Sequence, residues 1–311
     1  MKTKVAAVVG PTASGKTALS IELAKQMNGE IISCDSMQIY KFMDIGTAKP
    51  TKEEMSNIPH HLIDIITPDV EFSCADYSVL AKAKIEEINN RGKLPIFCGG
   101  TGLYVDHVLS NTTFSDAGRD EDYRKLLETK INEEGIEEVY NLLKTIDPES
   151  AMSIHKNNTK RVIRALEIFH VTGKTKTEWD RESKGYETPY DSTMICLDFR
   201  DRDKLYERIN KRVDLMIEAG LVEEVRSLLF DGKYKLSNTA GQGIGYKEII
   251  EYLNGDISLE DAIEKIKKGT RNYAKRQLTW FKRYDNCNRI YVDECKNFDE
   301  IVNIAKMTLC N

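Results

Sequence analysis

The run Gly10-Pro11-Thr12-Ala13-Ser14-Gly15-Lys16-Thr17 lies between an apolar stretch, residues 5–9, and an amphipathic one, residues 18–27. Strand, glycine-rich turn and helix in that order is the setting in which G-x-x-x-x-G-K-[ST] has physical meaning. The glycines let backbone N–H groups line a concave nest. The following helix turns its positive end toward that nest, and Lys16 adds a full charge. All eight residues are therefore expected to hold a diphosphate or polyphosphate, with the Thr17 hydroxyl available to Mg²⁺. A chain that opens this way is committed to an α/β fold.

Residues up to 100 continue that pattern. Strands are expected at 5–9, 30–34, 63–66 and 94–98, with a helix at 78–90. Short apolar strands separated by helices imply a parallel sheet covered on both faces. In such sheets ligands collect at the carboxyl ends of the strands. The phosphate loop, Asp35 and Gly99-Gly100-Thr101 all sit at such ends, and so should converge. From about 110 to 190 helical patterns replace strands. Helices are expected at 123–134, 136–145, from Asp147-Pro148 onward, and at 159–171 up to Gly173. The organisation predicted is a core domain of residues 1–110 and 191–311 with a helical insertion, 111–190. Strands at 194–197 and 289–292 complete the sheet. Helices at 201–218 and 298–309, a glycine-rich turn at 241–247 and a long basic helix at 259–284 complete the core.

Charged residues make up 31% and apolar ones 41%, an ordinary soluble balance. Seven cysteines form no C-x-x-C pair and five histidines no H-E-x-x-H pattern, so Cys or His metal sites are not expected. Free thiols suit a reducing cytoplasm. No stretch has the length of a membrane span, and the first strand begins so early that no secretory signal is expected. The net charge of −5 argues by itself against a nucleic-acid partner, but local distribution matters more. Lys265, Lys267, Lys268, Arg271, Lys275, Arg276, Lys282 and Arg283 form a basic run that also carries Tyr273, Trp280 and Phe281. Lys156, Lys160, Arg161 and Arg164 form a second group. Taken alone, both read as solvated helix faces.

Most phosphate loops hold a nucleoside triphosphate, which makes an ATP-using small-molecule kinase the default reading. Two features oppose it. The strand at 94–98 ends in Gly-Gly-Thr, with no acid to hold Mg²⁺. The strand that does end in an acid leads through Asp35 into Ser36-Met37-Gln38-Ile39-Tyr40. That is either a recognition loop, in which Asp35 takes a proton from an acceptor, or an aspartate that merely caps a helix.

Further segments are more specific: DSMQIY at 35–40, MDIGTAKP at 43–50, HHLID at 60–64 and GGTGLY at 99–104. RVIRALEI at 161–168, YERINKR at 206–212, IGYKE at 244–248 and TRNYAKRQLTWF at 270–281 complete the set. Across residues 5 to about 283 the chain closely resembles the bacterial tRNA dimethylallyltransferases, also called tRNA isopentenyltransferases. The resemblance implies a P-loop NTPase-like core with a helical insertion. It implies transfer of a dimethylallyl group from dimethylallyl diphosphate to N6 of adenosine 37, beside the tRNA anticodon. The P-loop would then hold the diphosphate of the prenyl donor, with Mg²⁺ near Thr17.

The resemblance also assigns roles. Asp35 matches the position that takes the N6 proton. Thr101 matches a residue holding the reacting centre, and Arg212, preferred to Arg208, one that neutralises the leaving diphosphate. The target base must leave its stack to reach a buried carboxylate. Contacts with tRNA are implied for Asp35, Ser36, Met37, Gln38 and Thr101. In the insertion they are implied for Arg124, Lys160, Arg161 and Arg164, and in the second glycine turn for Gln242, Gly245 and Lys247. Lys160 stands where the family often has Gln. The expected state is a cytoplasmic monomer whose partners are the tRNA anticodon loop and dimethylallyl diphosphate.

Overall fold

The computed structural model describes residues 2–110, 118–183, 187–229, 231, 234–285 and 287–310. The chain folds as two compact units, Met1–Leu109 with Pro189–Asn311, and Ser110–Thr188.

The first unit opens with β1 (Thr3–Val9), α1 (Lys16–Gln26), β2 (Gly29–Ser33), the short α2 (Lys52–Met55), β3 (His60–His61), α3 (Cys74–Asn90), β4 (Leu94–Gly99) and α4 (Gly102–Leu109). The second unit is α5 (Glu121–Glu134), α6 (Ile136–Ile146), α7 (Pro148–Ser153), α8 (Thr159–Thr172) and α9 (Lys176–Ser183). The chain then returns to the first unit. There it forms β5 (Tyr190–Asp198), α10 (Arg202–Glu218), α11 (Leu221–Leu229), α12 (Tyr246–Leu253), α13 (Leu259–Phe281), β6 (Asn288–Tyr291) and α14 (Phe298–Cys310).

The sheet is six-stranded in the order β3-β2-β4-β1-β5-β6, and every pairing is parallel. Alternation along β1 shows why the strand is apolar throughout. Val5, Ala7 and Val9 face one core with Ile85, Val105 and Phe281, whereas Ala6 and Val8 face a second core with Leu19, Leu23 and Val302. A strand buried on both faces has no polar side to show. Because β4 inserts between β2 and β1, the loops that follow these three strands become neighbours at the carboxyl end of the sheet.

The strand expected at 63–66 does not form. Leu62 (φ 61°) and Asp64 (φ 55°) take left-handed backbone conformations that no strand accommodates. Pairing is confined to His60–His61 and a lone bridge between Tyr40 and Ile66. Helix α3 starts earlier than expected because Ser73 and Asp76 form a capping box.

A third core packs Ile39, Tyr40 and Met43 against Val213, Leu221, Val225, Tyr246 and Ile266, so the loop after β2 is anchored on the helices of the same unit. The helical unit has its own core, including Leu127, Val139, Leu143, Val162 and Leu166. Asp147 caps α7 through the Ser150 N–H (3.0 Å) and also accepts from Thr177 Oγ1 (2.6 Å), tying α7 to α9.

Candidate active site

The phosphate loop begins with a close approach. A Cβ at Gly10 (φ 140°) would lie 2.5 Å from the Leu197 carbonyl oxygen, so only glycine lets β1 turn against β5 there. The loop then passes through left-handed Ala13 (φ 62°) and Gly15 (φ 95°) into α1. Lys16 Nζ donates to the Pro11 carbonyl at 2.7 Å. Burial lowers its pKa, and Arg212 adds to that, while Asp35 is near enough to act in the opposite sense. The Ser14 hydroxyl is buried without a hydrogen-bond partner.

Helix α10 lays two arginines one turn apart on this loop. Arg208 Nε donates to the Ala13 carbonyl at 2.8 Å, and an Arg212 Nη donates to Thr12 Oγ1 at 3.4 Å. Arg212 is the deeper of the two: desolvation lowers its pKa, and Asp35 offsets part of the shift. Loop and helix line a cavity of roughly 730 Å³ carrying Lys16, Lys25, Arg208, Lys211 and Arg212 against Glu22 and Glu54, with Thr17 in its wall. The excess of cations and loop N–H groups defines an anion site. One expected contribution is redirected: the Thr12 N–H donates to Gln277 Oε1 (2.9 Å), leaving only its hydroxyl toward Arg212.

Beside this site stand the ends of β2 and β4. Thr101 N–H donates to the Cys34 carbonyl (3.1 Å), and Ser36 N–H donates to Thr101 Oγ1 (3.1 Å). Asp35 Oδ1 accepts from Met37 N–H at 2.9 Å, so Asp35 caps a turn of the loop and not a helix. The Gln38 amide is spent internally. Its Nε2 donates to the Thr47 and Ala48 carbonyls, and its Oε1 accepts from Ser33 Oγ. Gln38 therefore shapes the loop instead of reaching out of it.

Glu224 was invisible to motif reading, yet it organises the neighbouring segment. Its carboxylate accepts the N–H groups of Asp44 (2.9 Å), Ile45 (2.7 Å) and Gly46 (3.1 Å) and the Tyr246 hydroxyl (2.6 Å). Gln277 was also missed, although it had a signal: a lone amide in the apolar stripe Ala274, Leu278, Phe281. In the second glycine turn Gln242 and Lys247 are exposed. Gly245 (φ 102°) donates its N–H to Glu248 Oε2 at 2.8 Å to start α12.

Four of the eight cations in the basic run on and just after α13 are engaged within its own unit. Lys265 pairs with Glu251, Lys267 with Asp214 and Arg283 with Asp106, while Arg271 donates to Asn210. In the helical unit, Lys160 and Arg161 are exposed at the start of α8. Arg124 and Arg164 are not free cations: both bond the fully buried Glu167, Arg124 through two donors at 2.7 and 2.8 Å. Among the described residues no group of three or more His, Cys, Asp or Glu is placed to hold a metal ion, and no helix is long and apolar enough to cross a membrane.

A parallel sheet with a glycine-rich anion loop between β1 and α1 defines a P-loop α/β protein of the NTPase-like fold. The family model described as IPP transferase matches residues 38–284. The chain is 53% identical over 302 residues to the tRNA dimethylallyltransferase of Thermoanaerobacter sp. (strain X514), covering 97% of this chain and 96% of the relative. Among solved structures it is similar to the full-length tRNA isopentenylpyrophosphate transferase from Bacillus halodurans, with a TM-score of 0.72, 47% identity and coverage of 99% and 97% of the two chains. It is also similar to a eukaryotic dimethylallyltransferase acting on tRNA, with a TM-score of 0.79, 32% identity and coverage of 93% and 74%. The chain belongs to the IPP transferase family.

Proposed function

We propose that this protein is a transferase that moves a dimethylallyl group to tRNA, from dimethylallyl diphosphate to N6 of adenosine 37 in the anticodon loop. The observation that carries the reading is the adjacency forced by the strand order β2-β4-β1. It sets Asp35 and Thr101 beside the anion loop, with Lys16 and Arg212 in electrostatic reach of Asp35. The N6 lone pair forms a bond to C1 of the donor as the C1–O bond breaks. Diphosphate departs with that electron pair, and the N6 proton passes to the Asp35 carboxylate. Loop N–H groups, Lys16 and Arg212 receive the charge that builds on the leaving oxygen. Such preorganised donors are worth about 3 kcal/mol of barrier each.

Oxygen donors suited to Mg²⁺ stand at the same place: Thr17 in the cavity wall and the unpartnered hydroxyl of Ser14. When bound, the ion would neutralise diphosphate charge. Ser36 and Met37 would flank the extruded adenine, in a loop held in shape by Gln38. Exposed Lys160, Arg161, Gln242 and Lys247 suit contacts with tRNA phosphates, with Arg124 and Arg164 holding α8 in place. The reading takes the enzyme as a cytoplasmic monomer. A kinase reading is not favoured: the similar proteins are tRNA prenyl transferases, and β4 ends at Gly99 and leads into Gly100-Thr101 instead of an acid.

The test is incubation with unmodified tRNA and either dimethylallyl diphosphate or ATP, followed by nucleoside mass analysis. A prenyl mass gain on adenosine is expected with the first donor. Asp35→Ala should keep tRNA binding and lose most turnover; full activity in that variant would remove Asp35 from the mechanism.

A further inference from the structure

Helix α13 turns a buried stripe inward, Ala274, Gln277, Leu278 and Phe281. Gln277 is only 4% exposed, and a buried amide is destabilising unless both of its halves are bonded. Here both are. Its Oε1 accepts the Thr12 N–H at 2.9 Å and its Nε2 donates to the Gly100 carbonyl at 3.1 Å. The backbone is fitted to this side chain, since a Cβ at Gly100 would lie 1.9 Å from Gln277 Nε2.

The two groups it joins belong to opposite sides of the site. Thr12 is part of the loop for the leaving diphosphate. Gly100 leads into Thr101, which holds Ser36 and so the turn that carries Asp35. Strands β1 and β4 are paired only as far as Val9 and Gly99. Gln277 continues the connection past the end of that ladder, 265 residues away from Thr12 in sequence. One neutral amide can accept from an N–H and donate to a carbonyl at once. A carboxylate cannot donate, and an aliphatic side chain can do neither.

We propose that Gln277 is a positioning residue for the transfer: a cross-brace that sets the separation between the diphosphate loop and the base-bearing loop. This rests on the prenyl-transfer reading above. Misplacing reacting groups by about 1 Å lowers a rate roughly hundredfold, so the brace should act on kcat more than on either binding step.

The experiment compares the unaltered protein with Gln277→Leu, Gln277→Glu, Gln277→Ala, Gly100→Ala and the variant combining the last two in steady-state prenyl transfer. Binding of tRNA and of inorganic diphosphate is measured separately, along with Tm. In Gln277→Leu, kcat is expected to fall roughly hundredfold while both affinities stay within about threefold. Gln277→Glu, which keeps the size and the acceptor, should still lose about tenfold or more, and it decides the matter if the leucine variant does not fold. Gly100→Ala should reproduce the defect, and combined with Gln277→Ala it should be no slower than Gln277→Ala alone. A purely structural glutamine would lower Tm and leave kcat at 25 °C unchanged. An active unaltered protein whose glutamine variants keep kcat within twofold, or lose only affinity, overturns the brace alone. An unaltered protein that transfers nothing overturns the functional reading and the brace with it.

Discussion

Replacing Arg124 by alanine separates two roles that the sequence cannot tell apart, a tRNA contact and an internal brace. Arg124 donates two charge-assisted hydrogen bonds, at 2.7 and 2.8 Å, to a Glu167 side chain that has no solvent exposure. Breaking a buried ion pair from one side costs about 3–5 kcal/mol. Glu167 would keep Arg164 at 2.5 Å and the Asp120 N–H at 2.9 Å. Arg124 itself is 27% exposed, so part of its charge is already screened. Both facts argue for the lower end, about 3 kcal/mol. That corresponds to a roughly hundredfold larger equilibrium population of the opened helical unit. Hydrogen exchange read by mass spectrometry on peptides from α5 and α8 would report it. Arg161→Ala is the control. It is exposed at the start of α8, so exchange should change by less than about 0.5 kcal/mol, while tRNA affinity falls and its salt slope shrinks by about one. If Arg124→Ala left exchange unaltered and reduced the salt slope instead, the brace argument would be refuted and Arg124 would be a phosphate contact.

Two further outcomes follow from the core unit. Arg212→Ala should weaken diphosphate binding and lower kcat by about a hundredfold, and Arg208→Ala, whose bond is to the Ala13 carbonyl, should act more weakly; equal losses in transfer kinetics would contradict that ranking. Burial works against ionisation of Glu30, but hydrogen bonds from Lys93, His61 and Arg91 outweigh it and bring its pKa from 4.5 to about 2. A carboxylate depressed in the folded state stabilises it above the unfolded value, and that contribution is lost as pH falls through the folded one. Urea midpoints of the unaltered protein should therefore drop between pH 4.5 and 2 more steeply than those of Glu30→Gln.

Much of this protein is decided within short stretches of chain. The apolar run before Gly10, the glycine spacing and the helix after it specify strand, nest and helix because each depends on residues only a few positions apart. The stripe on α8 and the caps at Asp147 and Ser258 are local in the same sense. The strand expected at 63–66 failed where the backbone at Leu62 and Asp64 went left-handed, with Asp64 N–H bonded back to the Gln38 carbonyl and its carboxylate to Lys49, partners that belong to other segments. Side-chain partnership followed the same division. The charges of Arg124 and Arg164 are plain in the sequence, but the buried acid that claims them lies 43 residues from Arg124. Glu224 reaches a loop about 180 residues away, and Gln277 reaches Thr12 across most of the chain. Local pattern thus determined the elements and the anion loop. The strand order and the docking of α10, α11 and α13 decided which side chains meet the loop, since hydrogen bonds and desolvation act over a few ångströms of space regardless of distance along the chain.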